Sequence, residues 1–128
     1  FHEAKVLNKK KVEIWGTGTP KREFLYVDDL ADACIFLIKN ISAEHLYNEL
    51  KISHLNIGCG QDISIDKLAK TISKIISFNG SIKYDNSKPD GTPKKLLDVS
   101  KIAELGWKST TSLDQGIHKT YNWYLSSL

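Results

Sequence analysis

One arginine, two cysteines, three prolines and no methionine stand among 128 residues, against 17 lysines. Each scarcity removes a class of protein. Cys34 and Cys59 are too few for a disulfide framework and form no CxxC pair, so a reducing, cytoplasmic setting is expected. His2, His45, His54 and His118 show no metal-ligand spacing with one another or with the cysteines, so no metal is expected. No apolar run approaches the roughly 18 residues of a membrane span, which excludes a helical membrane anchor from the residues given. The formal charge of +3 comes from lysines interleaved with acids, the pattern of a solvated surface and not of a nucleic-acid groove. The opening Phe1-His2-Glu3-Ala4-Lys5 has no initiator methionine, basic n-region or apolar h-region. It reads as the tail of a helix, and the expectation is a portion cut from a longer protein.

What remains is an ordinary globular composition, 41% hydrophobic and 26% charged, at the length of one domain. Val12, Ile14 and Trp15 form a short strand that Gly16-Thr17-Gly18-Thr19-Pro20 ends. Leu30, Ala33, Cys34, Leu37 and Ile38 then recur at helical spacing behind Asp28 and Asp29, predicting a helix over 28–39 with Cys34 in the core. Its other positions include Ala31, Ile35 and Phe36, so it is apolar almost all round, and a second covered face is expected. Leu55-Asn56-Ile57 reads as a brief strand running into Gly58-Cys59-Gly60, and Ser64 as the N-cap of a helix carrying Ile65, Leu68, Ala69, Ile72 and Ile76. Ile82-Lys83-Tyr84 predicts another strand and Ser87 to Pro93 a loop. Ser100 is expected to cap a short helix ended by Gly106. Thr111 and Asp114 resemble a capping box for a last helix with Leu113, Ile117, Tyr121 and Tyr124 inward. The fold class expected is α/β, short strands with three main helices.

Arg22 invites a role that lysine serves poorly, bidentate gripping of phosphate or carboxylate; the alternative is a structural salt bridge to Glu23 or Asp28. Trp15 offers a flat apolar face beside the loop, or else fills a core. Lys88-Pro-Asp-Gly-Thr-Pro-Lys-Lys95 is stiffened by proline, which would hold Asp90, Lys94 and Lys95 ready for a ligand; the plainer reading is a solvated turn. Gly16-Thr-Gly18 and Gly58-Cys-Gly60 are each half of a dinucleotide fingerprint and lack its third glycine, so no cofactor-phosphate loop is expected here. Tyr47-x-x-x-Lys51 and Tyr84-x-x-x-Lys88 have the spacing of a reductase pair but no long helix to present it, and read as chance.

Taken in order, "WGTGTPKREFLYVDDLADA", "LNIGCGQDISIDKLA" and "SKPDGTPKKLLDVSKIAELGW" resemble the C-terminal portion of the GDP-L-fucose synthase family, extended short-chain dehydrogenase/reductases. The resemblance implies epimerisation of GDP-4-keto-6-deoxy-mannose at C3 and C5 and hydride transfer from NADPH to the C4 ketone. It implies that residues 1–128 are the substrate-binding portion. The N-terminal Rossmann half, its NADPH site and every catalytic residue would then lie outside this chain, which would be inactive and bind no cofactor alone. Trp15, Arg22, Asp90 and Lys95 match family positions lining the GDP-sugar pocket, Arg22 and Lys95 being best suited to the diphosphate. The 28–39 helix would pack on the cofactor domain, and the complete enzyme would be a homodimer. A related GDP-heptose reductase or epimerase, and a non-enzymatic binding module, are the competing readings.

Overall fold

Alternation of half-buried Val12 and Ile14 with exposed Lys11, Glu13 and Trp15 makes Lys11–Trp15 a strand (β1) with one covered face. A computed structural model describes all of residues 1–128. In chain order, α1 (His2–Val6) and β1 precede β2 (Lys21–Glu23), α2 (Val27–Asn40), a π-helical turn at His45–Glu49 and β3 (Asp62–Ser64). Then come α3 (Ile65–Ile75), β4 (Ser81–Asp85), β5 (Lys94–Lys95), α4 (Ser100–Glu104) and α5 (Leu113–Ser126). The fold is α/β, with α2, α3 and α5 as the long helices, and no helix is long and apolar enough to cross a membrane.

The chain divides into two compact units. The first holds residues 1–22, 62–95 and 114–128. In it β1 and β4 run parallel, Lys11 opposite Ser81 through Trp15 opposite Asp85, and a second sheet has the order β3-β2-β5, with β2 and β5 parallel. Its core gathers Ala4, Ile76 and Phe78, with Val12, Ile72, Ile75 and Tyr121 packed against them. The apolar stripe of α3 lies where its sequence period puts it, and the Ser64 side chain caps it by accepting from the Lys67 amide.

The second unit holds residues 23–61 and 96–113, with Ala33, Ile102 and Trp107 at its centre and Leu25, Phe36, Leu37, Ile57 and Val99 around them. Here the expected inward face of α2 is corrected. Ala33, Phe36 and Leu37 turn inward with Asp29, whereas Leu30, Cys34 and Ile38 are exposed, so Cys34 is not a core residue. The cause is a polar anchor that hydrophobic periodicity does not count. The buried Asp29 carboxylate accepts from the Thr111 amide at 2.9 Å and from the Thr111 and Thr110 hydroxyls at 3.1 and 3.2 Å, rotating the helix to face them. Burial works to raise the Asp29 pKa, and these hydrogen bonds overcome it, leaving the carboxyl below its usual range.

The same contacts take Thr111 away from its expected capping box: its hydroxyl serves Asp29, and α5 starts at Leu113. Tyr124 lies mostly outward, edge-on to His2. Residues 55–57 form no strand; Ile57 packs against the core and the Asn56 side-chain amide donates to the Asp98 carbonyl. The N-cap of α4 is Val99, not Ser100, and has no side-chain cap bond; the Asp98 carboxylate just before it accepts from the Ser100 amide, while Gly106 ends that segment at φ +105° as expected.

Candidate functional site

The period of β1 decides the fate of Trp15. With Ile14 inward, Trp15 points outward, and it is 73% exposed at the C-terminal end of the strand; it is not a core residue. The chain then turns sharply, Gly16 and Gly18 both at φ +77°, a region that side chains disfavour. A methyl group on Gly16 would come within 2.2 Å of an Asp90 carboxylate oxygen. That approach is the point of the turn. The Asp90 carboxylate accepts from the Thr17 amide at 2.9 Å and from the Thr17 hydroxyl at 2.6 Å, joining the loop after β1 to the loop after β4. The two Thr17 bonds hold the Asp90 carboxyl below the usual carboxylate range.

The floor of the turn is pinned as firmly. The Gly18 and Pro20 carbonyls accept from the Asp66 and Ile65 amides, satisfying two orphan donors at the start of α3. Tyr84 lies under Gly18 and gives its hydroxyl proton to the Asp66 carboxylate, which also accepts from Lys70 at 2.9 Å. Burial, and then the Asp66 bond, push the Tyr84 phenol up to about 12. Tyr84 stands on a strand with its hydroxyl committed, and Tyr47 on the π-helical turn, so neither Tyr-x-x-x-Lys match has a helix presenting both residues.

In the second sheet, Lys21 pairs with Lys94 and Arg22 with Lys95. Strand alternation sends the two pairs to opposite faces. The lysine pair shares a counter-charge: Asp62 of β3 lies 3.8 Å from Lys21 and 3.5 Å from Lys94. The Arg22–Lys95 pair has no carboxylate partner, and neither expected acid, Glu23 or Asp28, meets Arg22. Instead, Nη1 of Arg22 donates to the Lys21 carbonyl at 2.6 Å and to the Thr92 carbonyl at 2.7 Å, with Gly91 against Nη2. Glu23 turns away, accepting from the Gly60 amide at 2.6 Å and the Leu97 amide at 2.9 Å.

Trp15, Arg22, Asp90 and Lys95 thus stand in one unit, on the loops that follow β1 and β4 and on the paired strands β2 and β5. Lys94, singled out with them by the sequence, faces Asp62. Lys88, which opens the Lys88 to Lys95 segment but is not among the residues expected to line the pocket, has its ammonium 5.7 Å from the Trp15 ring centroid. Only Asp85-x-Ser87 hinted at the turn that puts it there: the Asp85 carboxylate accepts from the Ser87 amide and hydroxyl, and its carbonyl from the Lys88 amide. Thr17 and Asp62 were also missed, because their roles depend on partners 73 and 32 residues away.

The glycine turns do not fit a dinucleotide's phosphates. The Gly16, Thr17 and Thr19 amides are taken by Asp85, Asp90 and the Thr17 hydroxyl, and the Gly60 amide faces the Glu23 carboxylate, where a phosphate would be repelled.

Comparison with known proteins places this arrangement. Residues 3–58 match the model of the NAD dependent epimerase/dehydratase family. GDP-L-fucose synthase 1 of Arabidopsis thaliana is 48% identical over 128 residues, all of this chain and 37% of that protein. GDP-L-fucose synthase of Escherichia coli K12 is 46% identical, with 99% of this chain and 40% of that protein covered. Among solved structures, a GDP-mannoheptose C4 reductase from Campylobacter jejuni with NADP bound superimposes with a TM-score of 0.86 at 40% identity, covering 97% of this chain and 41% of that one. The chain spans about two fifths of the length of these relatives. With an α/β fold of short strands and long helices, the chain is similar along its whole length to the C-terminal portion of GDP-L-fucose synthases, which are extended short-chain dehydrogenase/reductases, and its residues 3–58 match the NAD dependent epimerase/dehydratase family.

Proposed function

We propose that this chain is the GDP-sugar-binding part of an NADPH-dependent epimerase and reductase that converts GDP-4-keto-6-deoxy-mannose to GDP-L-fucose. One observation carries the reading: of two cation pairs across the same parallel strands, Lys21–Lys94 shares Asp62 and Arg22–Lys95 shares nothing. A diphosphate supplies the missing anion. Arg22 keeps Nη1 on the two carbonyls and offers the rest of its planar fork, Lys95 adds a point charge, and the exposed Trp15 ring gives the ligand's flat or apolar parts a surface. Asp90 serves the site through Thr17, holding the two loops in register.

No residue of this chain is assigned to catalysis. NADPH supplies the hydride that reduces the C4 ketone, and the glycine turns here, with their amides already taken, leave its binding to the part of the protein beyond this chain. What these residues contribute is remote binding energy, which positions the sugar against groups held elsewhere. The complete protein is proposed to act in the cytoplasm as a homodimer.

The relation to the Campylobacter jejuni heptose reductase favours a second reading, reduction of a GDP-keto-heptose. Purified full-length protein with NADPH and each GDP-keto sugar separates the two. Formation of GDP-L-fucose supports the first, turnover of the heptose alone the second, and turnover of neither leaves a non-enzymatic binding module.

A further inference from the structure

We propose that Lys88 is a further binding residue of this site, its ammonium resting on the Trp15 indole and moving to the phosphate oxygens of a nucleoside diphosphate when the ligand arrives. This rests on the GDP-sugar reading. Lys88 is exposed and has no carboxylate partner; the contact its ammonium makes is the one over Trp15, 5.7 Å from the ring centroid. At an exposed site such a contact is weak and readily exchanged, whereas a charge-assisted bond to phosphate is among the stronger polar contacts.

The backbone that carries Lys88 is held on both sides. Upstream, the Asp85 carboxylate accepts from the Ser87 amide at 3.0 Å and hydroxyl at 2.5 Å, and the Asp85 carbonyl accepts from the Lys88 amide at 3.1 Å. Downstream, Pro89 limits the backbone and Asp90 is tied to Thr17. The side chain is therefore the mobile part of a fixed mount, so little ordering is needed when it meets a ligand. The same loop continues to Gly91 and Thr92, which lie against the Arg22 guanidinium. One loop thus presents a cation at Trp15 and seats the arginine at its other end.

The test is GDP and guanosine binding to full-length protein by calorimetry, for the wild type, Lys88→Met and Lys88→Arg, with 5-fluorotryptophan NMR on the same samples. The Trp15 resonance is assigned by Trp15→Phe. Lys88→Met is expected to weaken GDP binding about tenfold, Lys88→Arg to stay within about threefold, and guanosine to bind all three alike. GDP is expected to shift the Trp15 resonance of the wild type, and Lys88→Met to begin already shifted. Equal GDP affinity in wild type and Lys88→Met overturns the Lys88 assignment and leaves the GDP-sugar reading standing. Equal losses of GDP and guanosine also overturn it, by making Lys88 a support for Trp15. Absence of GDP binding to the wild type brings down the GDP-sugar reading and this assignment together.

Discussion

Arg22 combines two tasks that lysine cannot share. Its Nη1 bridges the Lys21 and Thr92 carbonyls, while the remaining donors are free for a ligand. Arg22→Lys in the full-length protein is therefore expected to weaken GDP-sugar binding about tenfold and, through the lost carbonyl bridge, to cost about 1 kcal/mol in melting, while circular dichroism stays unchanged. An unaltered Michaelis constant and turnover would remove Arg22 from the site. Asp90 differs in kind, since its carboxylate is spent on Thr17. Asp90→Ala and Thr17→Val should each weaken GDP binding, and the double variant should lose well under the sum of the two, because both remove one tie. Additive losses would instead make Asp90 a direct ligand contact. The pH sense follows from the depressed Asp90 pKa: the tie is fully present above the ordinary carboxylate value and is lost as pH falls through the lower, folded value. A binding titration in which wild type and Asp90→Ala respond alike as the pH falls below the ordinary aspartate value contradicts that.

At the scale of elements, strands and helices with a single covered face were legible from spacing. The alternation in β1 and the apolar stripe of α3 behind Ser64 lie in the structure as the residues suggest. What was not legible turns on polar side chains acting at long range. Asp29 looked like a helix-dipole acid, but it rotates α2, frees Cys34 to the surface and takes Thr111 from its cap. The candidate site shows the same divide. Arg22 stood out by rarity and Asp90 and Lys95 by the resemblance, whereas the pairing of Lys94 with Asp62 and the placing of Lys88 on Trp15 needed the fold. Asp29→Ala leaves three partly buried donors, the Thr110 hydroxyl and the Thr111 amide and hydroxyl, without their acceptor and is expected to cost about 2 kcal/mol of stability by denaturant melting. Its wild-type contribution is present above the ordinary aspartate value and lost as pH falls through the depressed folded pKa. A melt insensitive to Asp29→Ala would show that α2 is set by packing alone.

At the scale of the whole molecule, the rotation of α2 leaves a second apolar stripe bare. Val27, Leu30, Cys34, Ile35 and Ile38 are exposed, Ile38 to 83%, at i, i+3, i+7, i+8 and i+11 along one side of a 14-residue helix. Of Ile35 and Phe36, the apolar residues that imply a second covered face, Ile35 is exposed in this chain, while Phe36 packs against the second core. Water is a poor neighbour for such a stripe, and a continuous one of this kind marks an interface. Because the chain spans about two fifths of the length of its relatives, the proposed cover is the remaining part of the protein, its cofactor domain. Cys34 lies in the stripe and reports on that cover. With Cys59 replaced by serine, Cys34 should react promptly with a thiol reagent in the 128-residue chain and at least tenfold more slowly in the complete protein, since burial suppresses thiol reactivity. Ile38→Glu should leave the melting of the short chain within about 0.5 kcal/mol, as surface changes do, and destabilise the complete protein by about 2 kcal/mol or more, because it puts a carboxylate where an isoleucine is buried. Equal thiol reactivity in the two forms, together with equal small effects of Ile38→Glu, would mean that the stripe stays in water in the complete protein and that α2 does not dock on the cofactor domain.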